Sequence, residues 1–376
     1  MHKTRDLDNV TFEYLYIHLP FCDVICHYCD FYTARSKEAR HEDFFNALHL
    51  ELTAYKKNIA PKIKTIYFGG GTPSVSPPHL LRNFLKELAP LITKETEITL
   101  EVNPNNVTSN IIAEWADAGI NRLSIGVQSL NDILLKKLGR THTANQAKSA
   151  LRMCLTLIPN VSADLIYAVP EQAEEEPAQD ADELLQLGLK HLSAYNLTLD
   201  NKHFLYHKIP SGDFAYQQIE KLASITKKYG LNHYEISNFA LPEYESKHNK
   251  NYWHGGPYLA LGPSAHGYNG QNKRWHNISD WEKYIQSLNQ GTAIVKEEAP
   301  LSSAQLKTER IFTQLRLETG LNLASYRENF QEDLAIKHVT FLSELEKKGL
   351  GSIVNGHLRL SFKGRMLGDE IARKLL

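Results

Sequence analysis

The chain has 376 residues, with 42 Lys and Arg against 43 Asp and Glu and a formal net charge of -1. That balance offers no electrostatic basis for a nucleic-acid groove or a broad contact with an anionic membrane surface. Hydrophobic residues at 42% and charged residues at 23% are ordinary for a globular protein and suggest neither a disordered nor a membrane class, and the length suffices for one large α/β domain plus a smaller one.

In chain order, Tyr14 to Leu19 alternates Tyr14, Tyr16 and His18 with Leu15, Ile17 and Leu19 and stops at Pro20, which predicts a strand. Cys22, Cys26 and Cys29 follow on the loop leaving its end. His41 to Asn58 carries Phe44, Phe45, Leu48, Leu52 and Tyr55 on one face and predicts an amphipathic helix. Lys64 to Phe68 is β-rich and runs into Gly69-Gly70-Gly71-Thr72, and Ser76-Pro77-Pro78 opens a helix to about Leu88. Thr96 to Val102 is the third expected strand, followed by a helix capped by Thr108 and closed by Gly119. Arg122 to Val127, Val161 to Tyr167 and His191 to Leu197 are the next strands. Helices over Asp132 to Leu138, Thr143 to Leu157, Gln179 to Leu187 and Asp213 to Tyr229 intervene or follow, and His233 to Ile236 is a last β run.

Six strand–helix units argue for parallel strands joined by right-handed crossovers, too few for a closed eight-stranded barrel. The expected fold class is α/β, a partial (β/α)6 barrel over residues 1–240. Chemistry in such folds collects at the carboxyl ends of the strands. From Pro242 to Gly270 periodicity disappears, so 241–298 reads as a long ordered connecting loop region. Residues 299–376 read as a separate α+β unit: helices around Leu306 to Leu315 and Phe341 to Lys348, then a hairpin from Ile353 to Leu360 turning at Asn355-Gly356. This resembles a small winged-helix domain. Its interspersed charges favour a lid or docking role over nucleic-acid binding.

Three of the four cysteines fall within eight positions as C-x-x-x-C-x-x-C, and Cys154 stands alone. Three thiols cannot form a disulfide framework, and without an export signal such a cluster points to metal or cluster ligation. A structural zinc wants four ligands, which His27 or a distant histidine could complete. An iron–sulfur cubane takes four thiolates, so three leave one iron open. Thiols that simply pack are the remaining alternative. The opening Met1-His2-Lys3-Thr4-Arg5-Asp6 leads into no apolar signal segment, and no stretch approaches the ~20 apolar residues of a transmembrane helix. The expected location is the cytoplasm. A peripheral membrane contact stays open, because it leaves no such mark.

At the strand ends, Gly70, Gly71 and Thr72 allow close backbone approach to a ligand and offer N–H donors. Glu101 ends the third strand, Gln128 ends the fourth, Arg140 lies in Gly139-Arg140-Thr141-His142, and Asp164 puts a charge inside an apolar run. A structural hydrogen bond would account for any one of them.

Together these motifs resemble the radical S-adenosylmethionine (SAM) superfamily. The resemblance implies a [4Fe–4S] cluster on Cys22, Cys26 and Cys29, with SAM chelating the open iron. It further implies that the glycine motif holds the SAM amino group, that Glu101 accepts the ribose hydroxyls, and that Arg140 pairs with the SAM carboxylate. Gln128 and Asp164 fall at matching positions, and Tyr16 and Tyr28 match residues that pack around cluster and SAM. The order and spacing match the coproporphyrinogen dehydrogenase-like branch, over nearly the whole chain.

Two relatives divide that branch: the oxygen-independent coproporphyrinogen III dehydrogenase, which converts two propionates to vinyls, and HemW-type heme chaperones. The dehydrogenase has a fourth cysteine two places after the third, where this chain has Phe31, and a longer segment before the motif. His248-Asn249-Lys250-Asn251-Tyr252-Trp253 is the H-N-x-x-Y-W motif of the chaperone type. The resemblance therefore implies heme binding and delivery to acceptor hemoproteins, respiratory ones in particular. His248 is the candidate heme contact and potential axial ligand, with His254 and His266 as competitors. One departure stands out. The family reads G-L-P-G-Q-T after the fifth strand, and this chain has Ala168-Val169-Pro170-Glu171-Gln172-Ala173, which implies a less permissive loop.

Overall fold

The computed structural model describes residues 7, 10–36, 40–297 and 299–376. The opening segment 1–6, read above for a leader, lies outside the described residues. The central sheet contains β1 (Tyr14–Leu19), β2 (Thr65–Gly70), β3 (Glu97–Val102), β4 (Arg122–Gln128), β5 (Val161–Tyr167), β6 (His191–Asn196), β7 (Asn232–Glu235), β8 (Asn238–Ala240) and β9 (Leu259–Leu261). Its order is β9-β1-β2-β3-β4-β5-β6-β8-β7. Every pair from β9 to β6 is parallel, and β8 runs antiparallel to both β6 and β7.

The two-residue alternation of each strand builds two unlike faces. Leu15, Ile17, Ile66, Phe68, Ile98, Leu100, Leu123 and Ile125 are buried in one large core. They pack there with residues of the outer helices α1 (His41–Tyr55), α2 (Pro78–Leu88), α3 (Ser109–Ala118), α5 (Ala144–Leu157), α6 (Glu176–Leu185) and α7 (Gly212–Lys228), whereas α4 (Asp132–Lys137) places Leu134 in a smaller cluster with Ile166, Val169 and Leu197. Each such Leu, Ile or Phe contributes about 1.5–3 kcal/mol by leaving water. The opposite face is polar, and its side chains bond across strands: Tyr67 to Glu101, Ser124 to Asp164 and Ser162 to His191. Local signals place the helices. Thr108 Oγ1 accepts the Ile111 N–H, and Gly119 closes α3 at φ 98°. Thr143 and Gln146 form a reciprocal capping box at α5.

Two expectations change. The 241–298 region is not a long loop. It forms α8 (Lys247–His254), the edge strand β9, a short strand at His266–Tyr268 and α9 (Trp281–Asn289). Trp275, Tyr284, Ile285 and Leu288 join the main core, so the structure draws no boundary at residue 240. A three-residue strand is too short to show a period, and pairing with β1 is what makes it a strand. The last β run also differs, being half of an antiparallel pair rather than a further parallel unit.

The C-terminal unit has its own core around Ile311, Leu315, Tyr326, Leu345 and Leu358. Its helices include α10 (Ser303–Gln314), α11 (Leu323–Phe330), α12 (Leu334–Lys337) and α13 (Val339–Lys347), beside a three-stranded sheet that contains the expected Asn-Gly hairpin. It docks on edge strand β7: the Glu318 N–H donates to the Tyr234 carbonyl at 3.0 Å, and Arg365 Nη2 donates to His233 Nδ1 at 2.8 Å. No helix among the described residues is long and apolar enough to cross a membrane.

Candidate functional site

A half-open cavity of about 540 Å³ lies at the carboxyl ends of the parallel strands. Cys22, Cys26, Tyr28, Cys29, Gly70, Gly71, Thr72, Glu101, Gln128, Arg140 and Asp164 all line it. Residues from six separate segments thus meet because parallel strands end on one rim.

The cysteine loop is held from several sides. Phe21–Cys22 pairs with Ala34–Arg35, the Cys29 N–H donates to the Cys26 carbonyl at 3.3 Å, and His203 Nε2 bonds the His27 carbonyl at 2.9 Å. Asp23 accepts from the Ser36 hydroxyl and from Asn106 Nδ2. Thr72 Oγ1 donates to Cys22 Sγ at 3.3 Å, and Arg140 Nη1 donates to Cys26 Sγ at 3.4 Å. Burial pushes the Cys22 thiol up to about 11 and raises that of Cys29. Coordination to iron would reverse this, since a coordinating thiol is deprotonated by the metal charge.

The glycines are sterically required. A Cβ on Gly71 would lie 2.5 Å from the Pro20 carbonyl oxygen and 3.0 Å from Cys22 Sγ. Gly70 has φ +112°, and a Cβ there would meet the His18 ring at 2.6 Å. At the rim of β4, Gln128 holds φ 70° beside a bulge against β5, a strained backbone of the kind that gathers at binding sites.

Glu101 Oε1 accepts from the Tyr67 hydroxyl at 2.8 Å and Oε2 from the Gly70 N–H at 3.2 Å. The barrel wall desolvates this carboxyl and pushes its pKa up to about 7, while its lone pairs still open onto the cavity. Asp164, also raised by burial, accepts from Ser124 Oγ through both oxygens, at 3.2 and 3.1 Å. These are the interior polar partners that its place in an apolar run demanded. Tyr195 and Asn103 line the same cavity and were not singled out in the sequence, although Tyr195 follows the inward alternation of β6.

The residues fit a three-thiolate cluster with a bound anion. The thiols share one cavity wall, Gly71 leaves room beside Cys22, and Arg140 Nε is buried without a partner, a donor that a bound carboxylate would satisfy. Among the described residues no three His, Cys, Asp or Glu side chains, Cys22, Cys26 and Cys29 included, are gathered around one metal position. Cys154 lies fully buried in α5 within the main core and does not reach the cavity.

Tyr16 and His248 lie elsewhere. The Tyr16 hydroxyl bonds His18 Nδ1 at 3.1 Å, inside the barrel beneath the cavity. His248 sits on α8, across the strands' amino ends, and is 1% exposed. Its Nδ1 bonds Thr65 Oγ1 at 2.6 Å, its Nε2 bonds the Tyr252 hydroxyl at 2.8 Å, and its ring stacks on Tyr67 at 5.1 Å. Both nitrogens are engaged, so an axial-ligand role would require one of them to give up its bond to Thr65 or Tyr252. Burial lowers its pKa to about 3, leaving a neutral ring that pins α8 to β2. The loop departure has a conformational outcome too. Ala168 (φ 60°) and Glu171 (φ 70°), which stand where the family has glycine, both keep left-handed backbone.

A family model for the Radical SAM superfamily matches residues 16–184, and one for the HemN C-terminal domain matches residues 301–367. The heme chaperone HemW of Lactococcus lactis is 33% identical, covering 96% of this chain and 96% of that protein. The heme chaperone HemW of Bacillus subtilis is 30% identical over 95% and 97%. The solved structure of coproporphyrinogen III oxidase HemN from Escherichia coli matches with a TM-score of 0.83 at 20% identity, over 98% of this chain and 91% of that one, a likeness of fold. The chain belongs to the radical SAM superfamily and, within it, to the HemW family.

Proposed function

We propose that this protein binds heme and passes it to acceptor hemoproteins, respiratory ones in particular, in the cytoplasm or at its membrane face. In this reading Cys22, Cys26 and Cys29 hold a [4Fe–4S] cluster and SAM fills the cavity beside it. Near-full-length similarity to proteins named heme chaperones carries the reading. The cluster loop supports it: Phe31, where the dehydrogenase has a fourth cysteine, is 69% exposed at the cavity, and Cys154 is too remote to substitute.

When bound, the cluster and SAM supply a one-electron centre and a source of a 5′-deoxyadenosyl group. The chain's own residues bind and orient. Glu101, fixed by Tyr67 and the Gly70 N–H, presents acceptors for a ribose. Arg140, anchored by Nη2 to the Gly126 carbonyl at 2.9 Å, presents a cation to a carboxylate. Gly70 and Gly71 keep the backbone close to the ligand.

The second reading is a coproporphyrinogen III dehydrogenase, favoured by the cavity with its SAM-type residues brought together. One experiment separates the two. Protein with an intact cluster receives SAM, reductant and coproporphyrinogen III anaerobically, and a parallel sample loaded with hemin is mixed with an apo-hemoprotein. Hemin transfer without protoporphyrinogen is the expected result. Decarboxylated product would overturn the chaperone reading.

A further inference from the structure

A second cavity, of about 500 Å³, lies between the C-terminal half of α8 and the C-terminal domain, at the barrel end opposite the cysteine loop. α8 fixes that location. The Lys247 and His248 N–H groups approach the Glu97 carboxylate at 3.4 Å, and Lys247 Nζ bonds the Glu95 carbonyl at 2.9 Å, all at the amino end of β3. One wall is aromatic, with Tyr252, Trp253, Tyr258 and Tyr268 on the barrel side and Phe330 facing from α11.

Three charged side chains line this cavity, Arg274, Glu309 and Arg310, leaving one net positive charge. Arg274 and Glu309 neutralise each other through two hydrogen bonds, at 3.2 and 2.7 Å, and Arg274 also lies over the Tyr268 ring at 4.4 Å. Arg310 has no such partner: its guanidinium makes no hydrogen bond or ion pair with any side chain among the described residues, and it lies beside Gly255, where a Cβ would come within 3.4 Å of Nη2. Trp253 Nε1, in the same wall, is buried without a partner. A cation left unpaired in a concave aromatic setting is the arrangement expected of a site for a flat anion.

We infer that this domain-junction cavity binds a carboxylate-bearing tetrapyrrole, with an acid group on Arg310 and the macrocycle against the aromatic wall. The inference rests on the heme reading and deepens it, placing recognition at the carboxylate and ring rather than at iron. It also separates the tetrapyrrole from the SAM cavity, so that either site can be filled or emptied alone.

The test titrates full-length, cluster-loaded protein with hemin, metal-free protoporphyrin IX and protoporphyrin IX dimethyl ester. The proteins are wild type, Arg310→Ala, Arg310→Lys and Thr313→Trp, the last narrowing the cavity without changing charge. Losing a hydrogen bond to a charged group is expected to weaken hemin and free porphyrin about tenfold to a hundredfold in Arg310→Ala. Arg310→Lys recovers part of that loss, Thr313→Trp weakens all three ligands, and the dimethyl ester binds wild type and Arg310→Ala equally. Iron, sulfide and SAM binding stay unchanged in every variant. Hemin binding that is unaffected by all three substitutions would overturn the cavity assignment while leaving the heme reading standing. Binding of hemin but not of free porphyrin would also overturn it, because iron would then be the recognised feature. Absence of hemin binding in wild type would sink the heme reading itself.

Discussion

Glu51, in the middle of α1, is 1% exposed and holds three donors. Oε2 accepts from the Gly262 N–H at 2.8 Å and the Tyr284 hydroxyl at 2.5 Å, and Oε1 accepts from Asn277 Nδ2 at 2.7 Å. This carboxyl joins α1 to the chain leaving β9 and to α9. Burial pushes its pKa from 4.5 up to about 7, against the three donors that pull it down. The folded state therefore holds the proton more tightly than the unfolded chain does. The resulting stability is complete below the unfolded value of 4.5 and is lost as pH rises through about 7. At about 1.36 kcal/mol per unit, the loss approaches about 3 kcal/mol. Glu51→Gln stays neutral at every pH and lacks this slope. Its Nε2 faces the Asn277 amide, which costs about one hydrogen bond, about 1–2 kcal/mol. In urea unfolding followed by circular dichroism, Glu51→Gln should be the less stable protein at pH 5. The gap should shrink by up to about 3 kcal/mol toward pH 8 and close or reverse there. Glu101 titrates alike in both proteins and cancels. A difference that stays constant with pH, or widens as pH rises, would refute the buried neutral carboxyl.

Other substitutions test the site. Cys22→Ser, Cys26→Ser or Cys29→Ser should each abolish cluster loading in an iron and sulfide assay, whereas Cys154→Ser, in the α5 core, should leave loading intact. Glu101→Gln should weaken SAM binding about tenfold at pH 8 without altering iron content, as expected for one lost charge-assisted hydrogen bond. Glu171→Gly should stabilise the protein by about 0.5–1 kcal/mol in thermal unfolding. Left-handed backbone costs a non-glycine residue about 1–2 kcal/mol, glycine's own entropy returns part of that, and the ion pair of the exposed Glu171 carboxylate with Lys137 adds little. His248→Ala should destabilise the protein by about 2–4 kcal/mol, because Thr65 and Tyr252 lose a buried shared partner.

Much of this protein is legible in its residue order because the controlling interactions are local. The alternation in Tyr14 to Leu19 assigns apolar side chains to one face and polar ones to the other, and the same two-residue period recurs through Asp164 and Tyr195. C-x-x-x-C-x-x-C, the glycine run and Glu101 could be read as ligand-directed because short spacing and strand ends bring such groups together. The strand β9 and helix α8 were not legible. Their apolar content is too small to show a period, and they exist through pairing with β1 and through one buried imidazole. The same holds for His248, whose side chain the motif alone directs toward a ligand and whose tertiary neighbours occupy both nitrogens. Left-handed backbone at Ala168 and Glu171 is likewise imposed by the loop's surroundings: the Ala168 N–H is tied to Gln218 Oε1 at 2.8 Å, fifty positions away in the chain. Periodicity and short spacings determined the strands, the helices and the cluster loop. Which polar groups stay open to a ligand and which are spent on one another was decided by long-range packing, because a hydrogen-bond partner is chosen by proximity in space.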